Sequence, residues 1–256
     1  MKHRIFTFLK ESLLTLRFLE GTMLCCGIYF LGVLVWWHHN SFLYVFGAAT
    51  TFSSFTFLFP ICAALPYALR YRENRKSHLD AMILQRCSVR RYLNTMFMRT
   101  AVSGFAAMAL GTVLFICLIP VFFPNAVISY EMEEGGIIIP YMRGIAKAGN
   151  WPAYFGFYVV LMGISGVFWS VLALTVSAWI DNIYAITIFP ILFLTVMDYL
   201  ARPVLLCTLT GIMIGDHYFC ESWMQMLSCS LATFGSMSLA CYILFVQKGR
   251  RNARES

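Results

Sequence analysis

Ser165, set between glycines in Gly163-Ile164-Ser165-Gly166, is the residue of this chain placed most like a nucleophile. A serine hydroxyl attacks a carbonyl only when a base takes its proton, and histidine is the usual base. The five histidines are His3, His38, His39, His78 and His217. None falls inside the later apolar runs, where Ser165 lies. His38 and His39 are adjacent, so on a helix they diverge, and no further ligands follow to complete a metal site. The nine cysteines show no metal spacing either. Cys25, Cys26, Cys62, Cys117, Cys229 and Cys241 sit in apolar runs, where a thiol acts as a small hydrophobe. Cys87 belongs to a basic stretch. Cys207 and Cys220 fall in one segment and either pair as a disulfide or remain two thiols. Two acids border apolar runs, Glu20 and Asp198, and each either anchors its helix or contributes to a pathway or an interface. No GxxxxGK[ST] string occurs, so the chain has no phosphate-binding loop of that kind.

The elements that hold these residues are long and apolar. Six hydrophobic segments span about 19–37, 47–69, 100–123, 152–179, 183–200 and 224–246, each near the 20 or so residues that cross a bilayer. Hydrophobic residues make up 60% of the chain and charged ones 12%, against about 25% charged in soluble domains. Little chain is left for a separate soluble catalytic domain. The charges that remain are sorted. Lys2, Arg4, Lys10 and Arg17 precede the first segment, and Lys248, Arg250, Arg251 and Arg254 follow the last. Arg70, Arg72, Arg75, Lys76, Arg86, Arg90, Arg91 and Arg99 lie between the second and third. Only Arg143, Lys147 and Arg202 fall elsewhere. Positive residues beside span ends stay cytoplasmic, so six spans with both termini inside follow. Topology and anionic lipid headgroups account for the net charge of +7, and no nucleic-acid partner is implied. Acids are missing from the middle of every segment, which argues against a proton- or sodium-coupled carrier.

The predicted fold class is an all-α membrane protein, a six-span helix bundle in one domain over residues 1–256. Residues 1–18 place Ile5, Leu9, Leu13 and Leu16 at helical spacing with Lys2, Lys10 and Arg17 on other faces, a helix lying in the interface. Trp36-Trp37, Trp151 and Trp223 are aromatic anchors at the outer surface. Pro60 and Pro66 kink or unwind the second span. The basic stretch 70–99 carries a short apolar face, Leu79, Met82, Ile83 and Leu84, suited to a small helix across the membrane surface. Asp181-Asn182 makes a tight inner turn. The segment 201–223 holds an apolar run, 203–215, too short to cross and therefore re-entrant or interfacial.

The run FPICAALPYALRYRENRKSHLDAMILQRCSVRRYLNTMFMRTAVSGFAAMALG, residues 59–111, resembles the permeases of ABC-2 type ATP-binding-cassette exporters. In that family a span ends in an Arg/Glu-rich cytoplasmic segment, then a short coupling helix, then a basic run into the next span. Arg70–Lys76, Leu79–Gln85 and Ser88-Val89-Arg90-Arg91 look like those parts. The family's usual glutamate-arginine followed by glycine is here Glu73-Asn74-Arg75. The resemblance implies that a separate ATPase subunit, carrying the ATP and magnesium that this chain does not bind, docks on His78, Leu79, Asp80, Met82, Ile83, Gln85 and Arg86. It implies a second permease chain, identical or different, to complete the pathway, with membrane lipids as the other neighbours; the compactness of the chain points to a bacterial plasma membrane. It also implies export, the composition suiting an amphipathic peptide, a lipid or a hydrophobic drug. On this reading the chain is not itself an enzyme.

Two other readings compete. Gly163-Ile164-Ser165-Gly166 is similar to the Gly-x-Ser-Gly string around the nucleophile of rhomboid intramembrane proteases, though Gly and Ser in spanning helices more often permit close packing. A membrane scaffold or immunity protein acting by binding alone would need neither ATPase nor nucleophile.

Overall fold

The computed structural model describes residues 13, 15–34, 42–50, 55–77, 79–124, 142–205, 208–214, 220 and 222–255. Within them the chain is helical, with no strand. The helices are α1 (Leu16–Leu34), α2 (Phe42–Thr50), α3 (Phe59–Ala64), α4 (Arg70–Lys76), α5 (Leu79–Leu84), α6 (Val89–Phe122), α7 (Arg143–Lys147), α8 (Trp151–Ser177), α9 (Ile183–Leu205), α10 (Leu209–Ile214) and α11 (Trp223–Glu255). Five of them, α1, α6, α8, α9 and α11, are long and apolar enough to cross a membrane.

The second predicted span is where sequence and structure part. Instead of one helix over 47–69 there are α2, a 3₁₀ turn at Thr56–Leu58, α3, and turns through 65–69. Pro60 stands in the first turn of α3, where its missing N–H and fixed φ cost little. It starts a short helix instead of kinking a long one. α3 is nonetheless deep in the bundle, packed against α1, α6, α8 and α9, with Phe59, Cys62 and Ala63 fully buried.

Two helices run further than expected. α6 begins at Val89, so the basic run 89–99 belongs to the spanning helix and not to a surface loop. Ser88 starts it: its Oγ accepts from the Arg91 N–H at 3.4 Å, satisfying one of the free donors of the first turn. At 34 residues α6 is about 50 Å long, against a hydrocarbon core of about 30 Å. α11 likewise continues through the basic tail to Glu255. At the other end of the chain, residues 16–18 already form the start of α1, and most of the predicted interfacial helix over 1–18 lies outside the described residues. In the segment 201–223, residues up to Leu205 extend α9, and α10 is a short buried helix against α8, α9 and α11.

α8 is the axis of the bundle, with α6, α11, α3 and α9 around it. Its closest neighbour is α6, and the approach depends on small residues. A Cβ on Gly104 would overlap Ser170 Oγ and stand 2.5 Å from the Gly166 carbonyl, and one on Gly166 would stand 2.5 Å from the Gly104 carbonyl. No side chain fits there, so the two backbones meet directly. Around this seam the core is aromatic. Tyr29 stacks on Phe115 at 4.7 Å and its hydroxyl hydrogen-bonds Thr112 at 3.0 Å, while Phe168 stacks on Phe234 at 5.6 Å. The hydroxyl matters because a buried phenol without a partner would be costly.

Candidate functional site at the basic end

Polar contacts gather where α4, α5, the start of α6, the α8–α9 turn and the end of α11 meet. The last carbonyls of α8 have no partners within their own helix. Ala178 O accepts from Asn252 Nδ2 at 3.0 Å and from Arg75 Nη1 at 3.4 Å. Arg75 also pairs with Asp181 at 3.8 Å, and Arg72 Nε donates to the Asp181 carbonyl. Asn182 Oδ1 accepts from the Tyr184 N–H at 2.9 Å, which opens α9. The very short turn at Asp181-Asn182 is therefore held by α4 on one side and α11 on the other.

The same end is tied across to the remaining helices. Arg17 of α1 pairs with Glu73 of α4. Asn74 Nδ2 donates to Tyr92 OH at 3.2 Å, Arg99 Nη1 to Tyr67 OH at 3.2 Å, and Tyr242 OH to Asn94 Oδ1 at 2.8 Å. Lys248 of α11 stands 5.2 Å over the Trp179 ring, a cation–π contact. Beneath these contacts lies an apolar layer that includes Tyr71, Tyr92, Leu93, Leu174, Ile186 and Phe245. Burial pushes the Tyr71 phenol up, with the Asn252 hydrogen bond pulling the other way. The phenol is thus a neutral packing group, not an acid. So Arg17, the basic stretch 70–99 and the Lys248 end of α11 meet at one end of the bundle, while Lys2, Arg4 and Lys10 lie outside the described residues.

α5 projects from this platform. Leu79 and Met82, three residues apart on one face, are 45% and 57% exposed. Gln85 and Arg86 are exposed in the turn that follows, and Asp80 is half-buried in the first turn. Ile83 does not join the outward face: it is half-buried and packs with Leu84 on the apolar layer. The Ile83 carbonyl accepts from the Arg86 and Cys87 N–H groups at 3.0 and 3.1 Å, which fixes the turn into α6. His78 lies outside the described residues. Of the predicted docking set, Leu79, Met82, Gln85 and Arg86 are thus exposed and Asp80 is half-buried, while Ile83 packs on the apolar layer.

The other candidates lie apart. Glu20 is exposed on α1, one turn beyond Arg17. Asp198 is 15 residues into α9, about 22 Å from the basic end. It accepts from the Thr210 N–H at 3.2 Å and from the Thr210 hydroxyl, so it fastens α10 to α9. Nothing brings Glu20 and Asp198 into one site. Ser165 is fully buried and donates to the Met162 carbonyl at 2.8 Å, one residue from the α6–α8 seam. Cys220 is a free thiol, and Cys207 lies outside the described residues. Among the described residues no three His, Cys, Asp or Glu side chains gather as a metal site.

The clamp residues Arg72, Arg75 and Asn252 do not stand out from the sequence as contacts. The signal is there in part, because RYRENRK and KGRRNARE both carry side-chain donors long enough to reach carbonyls. What the sequence lacks is the partner, since a backbone carbonyl has no letter. Comparison with known proteins finds no matching family model, curated protein or solved structure.

Proposed function

We propose that this chain is the membrane permease half of an ATP-driven exporter, with six membrane crossings and its basic end in the cytoplasm. In this reading α2 and α3 together make the second crossing, and α10 is a re-entrant element before the last. A bacterial plasma membrane is the proposed location.

The observation that carries the reading is α5. A soluble-facing turn has no need of Leu79 and Met82 on its outer surface, since exposed apolar side chains stand in water at a cost of about 25 cal/mol for each Å². A partner that covers them removes that cost. α5 is also well placed to pass on a push. Ile83 and Leu84 seat it on the layer that joins α4, α6, α8 and α11, and Arg72 and Arg75 of the neighbouring α4 hold the α8–α9 turn. Displacement of α5 by an ATPase closing on its nucleotide would move these helix ends together, as rigid bodies. Leu79, Met82, Gln85 and Arg86 make the contact, Asp80 borders it, and Ile83 transmits it. The ATP and magnesium belong to the partner.

A second permease chain supplies the facing half of the pathway. The exposed faces of α9 and α11 are available for it and for lipid: Ile188, Leu192 and Val196 on α9 and Leu231, Leu239 and Ile243 on α11 are all exposed. The cargo class that suits such a lining is an amphipathic peptide, a lipid or a hydrophobic drug.

The test is co-purification from detergent extracts with ATP hydrolysis as the readout. Wild-type chain is expected to bring down magnesium-dependent ATPase activity. Leu79→Asp/Met82→Asp is expected to lose it while eluting as a folded protein. Equal activity with both forms, or none with either, rejects the proposal.

A further inference from the structure

A cavity of about 340 Å³ opens between α4, α5 and α6 at the basic end, and the transport reading assigns it no ligand. That volume is at the low end of the range for small-ligand pockets, about 300–1,000 Å³. Three arginines line it. Arg91 and Arg99 come from one stripe of α6, with Thr95 between them at four-residue spacing, and Arg70 faces them from α4. The other polar lining groups are Asn74, Tyr67 and Tyr92, held in place by the Asn74–Tyr92 and Arg99–Tyr67 hydrogen bonds at 3.2 Å each. The remaining wall is apolar or weakly polar, with Leu79, Ile83 and Met96 beside Cys87. Among the described residues no acidic side chain lines the cavity. Asp80 of α5 is close enough to act on Tyr71, and counting it against the three arginines still leaves the region cationic.

We infer that this cavity is a binding site for a phosphate group, carried by an acidic phospholipid of the adjoining leaflet or free in solution. Guanidinium groups present planar forks of donors that match phosphate oxygens two at a time. Three of them around one cavity, with two phenols and an amide beside them, form a donor-rich wall facing an anion. Arg99 stands eight residues beyond Arg91, about 12 Å further along α6, so the donors line a slot directed along the helix. That shape fits a headgroup whose glycerol and chains continue past Met96 and Ile83 better than it fits a lone ion. Basic pockets between spanning helices on the side of anionic lipid are a recurrent headgroup site. Because Leu79 and Ile83 form both the cavity wall and the root of α5, an occupied cavity would set the position of α5. This inference concerns the chain alone and does not rest on its having an ATPase partner.

The experiment uses the full chain in uncharged detergent, without any partner. Cys87, half-buried in the cavity wall, reports occupancy through its rate of alkylation, read by peptide mass spectrometry. Phosphatidylglycerol is expected to slow Cys87 alkylation in a saturable way and phosphatidylcholine to leave it unchanged. Inorganic phosphate is the second arm: protection by lipid alone assigns the site to a headgroup, and equal protection by phosphate assigns it to the free anion. Arg91→Gln and Arg99→Gln are each expected to weaken protection about tenfold, as loss of a charge-assisted hydrogen bond does. Lys76→Gln, a nearby cation outside the cavity, is expected to change it less than twofold. Protection by phosphatidylcholine equal to that by phosphatidylglycerol, or no protection by either anion, overturns the site. That result needs only the wild-type chain, so it stands even where an arginine variant fails to fold.

Discussion

α8 and α9 are both apolar enough to cross a membrane, yet they lead opposite lives. In α8, 78% of the most apolar window is buried within the protein, and in α9 only 17%. The difference lies in side-chain size. α8 carries Gly163, Ser165, Gly166, Ser170, Ala173 and Ser177, which let α6 and α11 come close on several sides. α9 presents Tyr184, Ile188, Leu192, Val196 and Tyr199 outward, all exposed, and its buried face is narrow. In a bilayer apolarity does not distinguish inside from outside, because lipid is as apolar as leucine. Small residues do.

That contrast can be broken at several points, and the largest effect is expected at the aromatic core. Phe168→Ala in α8 should cost about 3–5 kcal/mol, whereas Leu192→Ala in α9 should stay within about 0.5 kcal/mol. Reversible unfolding in mixed micelles measures both, and equal losses would contradict the assignment of α8 as the axis. Next comes the seam itself. Gly166→Leu drives a side chain into the Gly104 carbonyl and Met108 and is expected to destabilise by about 3 kcal/mol or more. Gly156 on the same helix has open space around it: beyond its chain neighbours and its own helix backbone, nothing lies within 4 Å of where a methyl group would stand. Gly156→Ala should therefore gain up to about 1 kcal/mol from helix propensity.

Smaller effects belong to polar contacts. Thr112→Val removes the partner of the buried Tyr29 hydroxyl and should cost about 1–3 kcal/mol. Arg75→Ala loosens the α8–α9 turn, but Arg75 and Asp181 are partly exposed, so about 1 kcal/mol or less is expected. Its larger signature should be faster hydrogen exchange at Tyr184 and Ile186, at the start of α9, with α8 unchanged. Uniform exchange rates in wild type and variant would mean that the clamp does not hold the turn.

Much of this is legible in the chain. Charge sorting foretells that Arg17, the 70–99 stretch and the Lys248 tail share one end, because long-range topology leaves its mark in every loop. The packing role of Gly163 and Gly166 can be read as well, since two small residues flanking a serine within an apolar run mark a face where another helix can come close. The second predicted span is harder. Pro60 reads equally as a kink in one helix or the start of another, and only the packing of α3 among four neighbours decides. The continuation of α6 through Arg90 and Arg91 escapes the sequence for a similar reason: arginines mark the membrane surface but do not end a helix. Ile83 looks like its neighbours Leu79 and Met82 in sequence, and a six-residue helix is too short for periodicity to say which residues face out.

Under the proposed function Met82 on α5 faces an ATPase while the far end of the bundle does not. A photo-crosslinking amino acid at position 82 and, separately, at exposed position 224 of α11 tests it in intact membranes, with each adduct assayed for nucleotide binding. An ATP-binding adduct is expected from position 82 and none from position 224. An ATP-binding adduct from 224, or adducts from 82 that bind no nucleotide, would contradict it.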